Sequence, residues 1–313
     1  MTKPRKILIF IINYHNSAET AQCIKQGGWD NNRYDVMIFD NESSGPDDII
    51  QSFISQGCLY QHAADNIGFT GASNYGLTYA HDNGYDYILL LNNDAIFPAH
   101  DLDVLVSTVQ KDKNIALASP SLYDPTDGQT FYGSQFKAPH ITGYSEQEIR
   151  AIPAGGQQTI VYGTALLCQV SIIHKLGGLH TPYFAYYEDY DLARTVIRSG
   201  YASCVVPDSK ATHKNNREDE VNTPRAAYYH YYKTRNGIRF WLRQGLSGIK
   251  PAYWHLRKAL SFKDHFKKSG QTSLQTAIAA GVWDGLIGRM GRWRHHPTYR
   301  PDQNTLTKES RKP

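Results

Sequence analysis

The chain has 313 residues, 41% of them hydrophobic, with a formal net charge of +4; that allows one large domain with an appendage and a substantial core. No stretch reaches the roughly 18–20 consecutive apolar residues of a membrane-spanning helix, and the apolar run 7–12 behind a basic lead-in is too short for a signal peptide and lacks its small-residue cleavage site. Four widely spaced cysteines (Cys23, Cys58, Cys168, Cys204) form neither a CxxC pair nor a zinc pattern and read as reduced, buried thiols of a cytosolic protein.

Residues 6–14 form the continuous apolar run of a strand buried on both faces. Residues 17–26 read as a helix, 35–39 (DVMIF) as a second strand ending at Asp40, 47–56 as a helix and 58–62 as a strand. A helix over 71–83 precedes a strong strand, 85–91 (YDYILLL), which runs straight into Asn92-Asn93-Asp94. A helix over 102–111 and a strand over 115–119 continue the alternation. This rhythm predicts an α/β fold with a doubly wound, mostly parallel sheet. Residues 120–160, rich in Pro, Gly and Gln, read as a mobile excursion. The core resumes over 161–169, a helix follows from about Tyr190, and a strand covers 202–207.

Beyond His213 the composition turns aromatic and basic, with helices predicted over 225–244, 251–268 and 273–287 and a disordered end over 295–313. There is no internal repeat. Residues 1–215 hold 14 Lys and Arg against 22 Asp and Glu, whereas residues 216–313 hold 19 against 7. The division predicts an acidic catalytic body over 1–215 and a basic, mainly helical region over 216–313 that meets something anionic: phosphates, a membrane surface or nucleic acid. No nucleic-acid recognition motif accompanies the charge.

In open α/β sheets, ligands lie beyond the carboxyl ends of the strands. Three predicted ends carry polar clusters: Asn13-Tyr14-His15-Asn16, Asp40-Asn41-Glu42-Ser43 and Asn92-Asn93-Asp94. The last offers a carboxylate and amide carbonyls to a hard divalent cation, although the same triplet also makes turns. Glu188-Asp189-Tyr190-Asp191 opens a helix with more carboxylates than one cap requires. Beside the aromatic stretch 183–187, which excludes water, such a carboxylate acquires a raised pKa and can act as a general base. His213 follows the strand over 202–207.

The ordered set Tyr14-x-Asn16, Asp40, Asn66-x-Gly68-Phe69-x-Gly71-x-x-Asn74, Asn92-Asn93-Asp94, Gly163, Gly177-Gly178, Phe184-x-x-x-Glu188-Asp189-x-Asp191-Leu192 and His213 resembles glycosyltransferase family 2, over about residues 6–240. Within that family it is most similar to rhamnosyltransferase-like enzymes of bacterial surface-polysaccharide assembly. The resemblance implies a GT-A fold and an inverting transfer from a nucleotide-sugar donor. Asp40 would bond the pyrimidine base, and Tyr14 and Asn16 would line the nucleotide pocket. Asn66, Gly68 and Asn74 would shape the donor pocket, with Asn92 and Asn93 beside it. Asp94 and His213, with Asn92, would hold Mg2+ or Mn2+ on the diphosphate. Asp189, or else Glu188, would be the catalytic base. Tyr232-x-x-Arg235-Asn236 resembles a C-terminal element through which Arg235 would approach the diphosphate or the acceptor.

Two departures stand out: Asn92 replaces an acid, and Glu42-Ser-Ser-Gly-Pro-Asp47 stands where the family often has Ser-x-Asp after Asp40. The donor implied first is dTDP-rhamnose, with UDP-hexose or UDP-galactofuranose as alternatives. The implied acceptor is a saccharide on a polyprenyl diphosphate, met at the inner face of the cell membrane. A sugar-1-phosphate nucleotidyltransferase is the rival reading; it would need a Gly-rich phosphate loop with Arg and Lys soon after the first strand, and the sequence has none.

Overall fold

The computed structural model describes residues 7–30, 32–137, 140–214 and 224–295. The expected disorder of the chain end therefore lies, apart from His295, outside the described residues. Strand β1 (Ile7–Asn13) leads into helix α1 (Ser17–Gly27), then β2 (Tyr34–Asn41), α2 (Asp48–Ser55) and β3 (Leu59–Ala63). Helix α3 (Gly68–Asp82) returns the chain to β4 (Tyr87–Asn92), followed by the short β5 (Ala95–Ile96), α4 (Ala99–Lys111) and β6 (Ile115–Tyr123). Strands β3, β2, β1 and β4 are parallel neighbours in that order.

The two faces of β1 separate by residue parity. Ile7, Ile9 and Ile11 pack with Leu102, Leu105 and Val109 of α4 on one side. Leu8 and Phe10 pack with Ala72, Leu77 and Ala80 of α3 on the other. A one-residue slip would exchange these faces, so burial on both sides fixes the register.

The stretch over 120–160 is built, not structureless. β6 runs on to Tyr123, and β7 (Thr130–Phe131) pairs with it. A hairpin of β8 (Ser134–Lys137) and β9 (His140–Gly143) leads to α5 (Glu146–Arg150), whose start is closed by a capping box between Ser145 and Glu148. Then β10 (Ala165–Gln169) enters the sheet antiparallel between β4 and β6. The sheet is thus mostly parallel, as expected, with β10 as an antiparallel strand between β4 and β6. After α6 (Val170–Lys175) and α7 (Glu188–Arg198), β11 (Ala202–His213) runs parallel to β6. It outlasts the predicted end at 207 because a bulge between Val206 and Lys210 lets the strand resume past Pro207.

Helices α8 (Pro224–Leu242), α9 (Leu246–Lys268) and α10 (Thr272–Ile287) form the C-terminal module. α9 starts five residues before the predicted position, with Pro251 inside it. The module is not separate from the sheet domain: Tyr231, Tyr232 and Ala277 share a cluster with Phe184 and Ala185, and Phe240 and Trp241 share one with Tyr183. Among the described residues no helix is long and apolar enough to cross a membrane.

Gly68 and Gly84 both have left-handed φ, +77° and +70°, but a Cβ on Gly84 meets open space whereas one on Gly68 lies 2.5 Å from the Phe184 carbonyl oxygen. Gly84→Ala should cost about 1–2 kcal/mol of backbone strain. Gly68→Ala should cost about 1–3 kcal/mol more, because backbone has to move. Thermal unfolding of the two variants checks the order; equal losses would contradict the close approach.

Candidate active site

The ladder Asn13↔Asp40, with Ile12↔Asn92 on the other side, brings three polar strand ends to one edge. There the side chains bond each other. Asn13 Nδ2 donates to Asp40 Oδ1, the Tyr60 hydroxyl donates to Asp40 Oδ2 at 2.9 Å, and Thr20 Oγ1 donates to Asn13 Oδ1 at 2.7 Å. Asn93 Nδ2 joins this network through Thr20 Oγ1 (3.1 Å) and the Asn16 carbonyl (3.3 Å). Asp40 is 5% exposed with both oxygens engaged, so a base reaching it would use the remaining lone pairs. Tyr14 donates its hydroxyl to Glu42 at 3.0 Å, and Asn16 caps α1 by accepting the Glu19 N–H at 3.3 Å.

Asn66 accepts from the Gly68 N–H (2.8 Å) and from Asn41 Nδ2 (3.2 Å), which shapes the turn into α3. Asn74 is committed to the backbone of Leu179, accepting its N–H at 2.9 Å and donating to its carbonyl at 2.7 Å. It fastens α3 to the 178–179 turn and acts on the pocket only through that turn.

Asp94 and His213 meet because β11 pairs with β5, His213 against Ala95. His213 Nε2 lies 3.2 Å from Asp94 Oδ1. Burial pushes the Asp94 carboxyl up, but the hydrogen bond and charge of His213, a backbone N–H and Arg225 together hold it below the usual carboxylate range. Burial pulls His213 down, yet the bond and charge of Asp94 raise it above its ordinary value. Among the described residues no three His, Cys, Asp or Glu side chains gather for a metal. Asp94 and His213, 3.2 Å apart and each with a ligating atom, would be the side chains to hold one divalent cation, which would supply positive charge at this edge. Asn92 closes β4, its N–H bonded to the Thr164 carbonyl at 2.9 Å and its side chain half-buried.

Glu188 and Asp189 occupy the first turn of α7, reached through a turn with left-handed φ at Phe184, Tyr186 and Tyr187. Asp189 accepts from the Gly163 N–H (3.1 Å) and its neighbour Tyr190's N–H (2.9 Å). Burial raises its pKa to about 6, against the lowering effect of those N–H groups and of Lys233. Glu188 is 6% exposed and its Oε2 has no hydrogen-bond partner. Burial, then the Asp189 charge, push its pKa well above the usual range. Burial therefore favours the proton on Glu188, whose Oε2 has no partner, and the charge on Asp189, where N–H donors support it.

Two consecutive residues link Asp189 to the end of β4, since the Gly163 N–H bonds Asp189 while the Thr164 carbonyl bonds the backbone of Asn92, two residues before Asp94. This arrangement can accept a proton from a hydroxyl near pH 7 beside a site suited to a cation and a diphosphate.

Over residues 9–177 the chain matches the model of glycosyl transferase family 2. The chain belongs to this family. It is 23% identical over 200 residues to an N-acetylglucosaminyl-diphospho-decaprenol L-rhamnosyltransferase of Mycobacterium tuberculosis, covering 58% of this chain and 63% of that one. It is 22% identical over 187 residues to a low-salt glycan biosynthesis hexosyltransferase of Haloferax volcanii, covering 56% of this chain and 58% of the other. The chain thus spans less than two thirds of these relatives. A solved mannosyltransferase from Pyrobaculum calidifontis, in complex with GDP-Man and Mn2+, superposes with a TM-score of 0.58 at 14% identity, over 92% of this chain and 89% of its own. That likeness extends to the fold: this family-2 chain has the same α/β architecture, with helices beyond the sheet.

One expected donor contact is corrected. Arg235 is fully buried, and its guanidinium donates to the carbonyls of Gly291 (2.6 Å) and Tyr183 (2.7 Å) and to Asn236 Oδ1 (2.8 Å), so it has no reach to a diphosphate. Sequence reasoning missed Thr20, Tyr60 and Lys233. Thr20 and Tyr60 sit inside ordinary helix and strand patterns, and Lys233 is one basic residue among many in its region. Asn236 was visible beside Arg235, without a role.

The folded pKa of Asp189, about 6, exceeds the unfolded value of about 3.9. The folded protein binds the extra proton, so this carboxyl's contribution to stability is fully present below about pH 4 and is lost as pH rises through 6. Asp189→Asn abolishes that loss. The Tm of the variant minus that of wild type should increase between pH 4 and pH 7, measured by thermal denaturation; a difference independent of pH would overturn the raised pKa.

Proposed function

We propose that the protein is an inverting glycosyltransferase that moves a sugar from a nucleotide diphosphate to an acceptor hydroxyl, with Asp189 as the base. The observation that carries this reading is the Glu188–Asp189 pair at the start of α7, with Asp189 linked through Gly163 and Thr164 to the backbone of Asn92, two residues before Asp94. A base with a pKa near 6 is ionised at neutral pH and still basic enough to take the acceptor's proton as attack proceeds. Asp94 and His213 would hold Mn2+ or Mg2+, which supplies positive charge for the departing diphosphate. Asn93, Tyr14 and the edge organised by Asp40 would receive the nucleotide, and Gly68 allows close approach at the turn into α3. A single basic carboxylate facing the acceptor fits one displacement with inversion, in contrast to the two flanking carboxylates of a retaining hydrolase.

For the donor we propose dTDP-rhamnose, and for the acceptor a saccharide on a polyprenyl diphosphate; the name of the mycobacterial relative supports both. A UDP-hexose is the second donor reading, supported by the hexosyltransferase relative. Asp189→Asn should lower turnover by about 10²-fold or more while dTDP-rhamnose with Mn2+ still raises the Tm. Near-wild-type turnover would sink Asp189 as the base. EDTA should abolish transfer and Mn2+ restore it, and full activity of metal-free protein would remove Asp94 and His213 from the account.

We further propose that the protein works at an anionic membrane surface, seated through α9 and α10. α9 carries Lys250, Arg257, Lys258, Lys263, Lys267 and Lys268 against the lone acid Asp264. Leu246, Ile249, Tyr253 and Trp254 of α9 are exposed, as are Trp283, Leu286 and Ile287 of α10. The helices pack together across a link of three residues, 269–271, so the start of α9 lies near the end of α10. Apolar side chains among cations match an interfacial bilayer surface. Trp293 takes no part in this surface, being 8% exposed and stacked on Tyr231 at 4.4 Å. The full chain should float with phosphatidylserine-containing liposomes and lose that binding on Leu246→Ser with Ile249→Ser and Trp283→Ser. Unchanged flotation of the triple variant would refute the surface.

A further inference from the structure

The turn that delivers Glu188 and Asp189 is held from outside its own segment. Phe184, Tyr186 and Tyr187 have φ of 69°, 66° and 73°. Such backbone costs roughly 1–3 kcal/mol per residue and persists only where surroundings enforce it. Tyr187, the N-cap of α7, makes no side-chain capping bond, so the helix start has no local lock. Thr70 of α3 donates its N–H to the Phe184 carbonyl at 3.2 Å, and α8 holds the other carbonyls of the turn. Asn236 Nδ2 faces three carbonyls of the turn, Tyr183 (3.1 Å), Ala185 (2.7 Å) and Tyr186 (2.8 Å). Three carbonyl dipoles converging on one point repel one another unless a donor stands between them. Asn236 is itself oriented, because its Oδ1 accepts from Arg235 Nε at 2.8 Å. Arg235 is braced in turn by the Gly291 and Tyr183 carbonyls and lies over the Tyr232 ring at 4.7 Å.

α10 supports this point from behind. A Cβ on Gly285 would lie 2.9 Å from the Arg235 carbonyl oxygen and one on Gly281 2.7 Å from that of Tyr231, so only glycine permits the approach. Asn236, Arg235, Tyr183, Ala185, Tyr231 and Tyr232 are buried, which strengthens their bonds and makes a missing donor expensive.

We propose that Asn236, oriented by Arg235, is a positioning residue that sets the placement of the Glu188–Asp189 pair, so that the C-terminal helices are part of the catalytic apparatus. The inference rests on the glycosyl-transfer reading with Asp189 as base. It predicts two effects of losing the amide: the turn relaxes, and Asp189 gains access to water. The groups facing Asp189 are Glu188, Tyr162, Tyr187, Tyr190 and Lys233. Relaxation toward solvent weakens the desolvation that raises its pKa, and the pKa moves down.

The test compares Asn236→Leu, similar in size but without donors, and Asn236→Ser, which keeps one donor, in the full-length protein. With dTDP-rhamnose, Mn2+ and a synthetic polyprenyl-diphosphate N-acetylglucosamine, kcat should fall by about 10–100-fold in the Leu variant and less in the Ser variant. The donor KM should change little, and the acid limb of the kcat profile should move to lower pH. The decline of Tm between pH 4 and pH 7 should flatten in the same order. A folded Leu or Ser variant with unchanged kcat and unchanged acid limb overturns the proposal, as does a uniform loss of activity with the limb in place. Should Asn236→Leu not fold, Asn236→Ser decides on the same readings. Should wild type not turn over this donor, the donor assignment fails, and the Tm slopes alone decide the positioning role.

Discussion

Everything at the site depends on the register of β1 between β2 and β4. Both its faces are buried, so each residue from Ile7 to Ile11 has one allowed side, and neither neighbour can slip without putting a packed face in the wrong layer. Because the three strands run in the same direction and are locked in step, their first polar residues arrive together: Asn13, Asp40 and Asn92. A hydrophobic constraint in the interior thereby fixes polar geometry at an edge. The hydrogen bonds among Asn13, Asp40, Tyr60 and Thr20 then consume the polarity that burial would otherwise penalise.

That part of the fold was legible because buried parallel strands announce themselves as apolar runs that end abruptly in polar residues. The same logic located Asp94, and the acidic excess at 188–191 located the carboxylates. The hairpin over 134–143 was not legible: its strands are four residues each and lie in a Gly- and Pro-containing segment, below the length at which alternation is distinctive. The antiparallel entry of β10 was hidden for another reason, since a fully buried strand shows no direction in its composition. Arg235 shows the converse failure. A cation in a motif suggests an anion, yet this one spends its donors on backbone carbonyls, and nothing in a linear sequence distinguishes the two uses.

The C-terminal region has two physical characters that its net charge alone would merge. Its outer faces are basic and apolar together, while its inner faces form clusters with Tyr183, Phe184 and Ala185 of the sheet domain. A tail bearing only charge would be dispensable to the fold. These helices instead close the aromatic surroundings that desolvate Glu188 and Asp189, so the raised pKa values depend on residues far along the chain.

The spacing between Asp189 and the end of β4 is a matter of backbone. Gly163 bonds Asp189 through its N–H, and Thr164 bonds Asn92 through its carbonyl, so one peptide segment at the entrance of β10 reaches both half-sites. The 2.9 Å bond joins backbone to backbone and the 3.1 Å bond ends on a short carboxylate, so both tolerate less displacement than contacts between long side chains, whose rotamers cost little to change. In-line displacement needs the proton acceptor and the leaving diphosphate on opposite sides of one carbon, at a separation that thermal motion does not blur. Inserting β10 antiparallel beside β4 is what brings Thr164 alongside Asn92, and a purely parallel sheet would have carried the chain away from that edge. The antiparallel insertion of β10 into a mostly parallel sheet is therefore the feature that joins the two halves of the site.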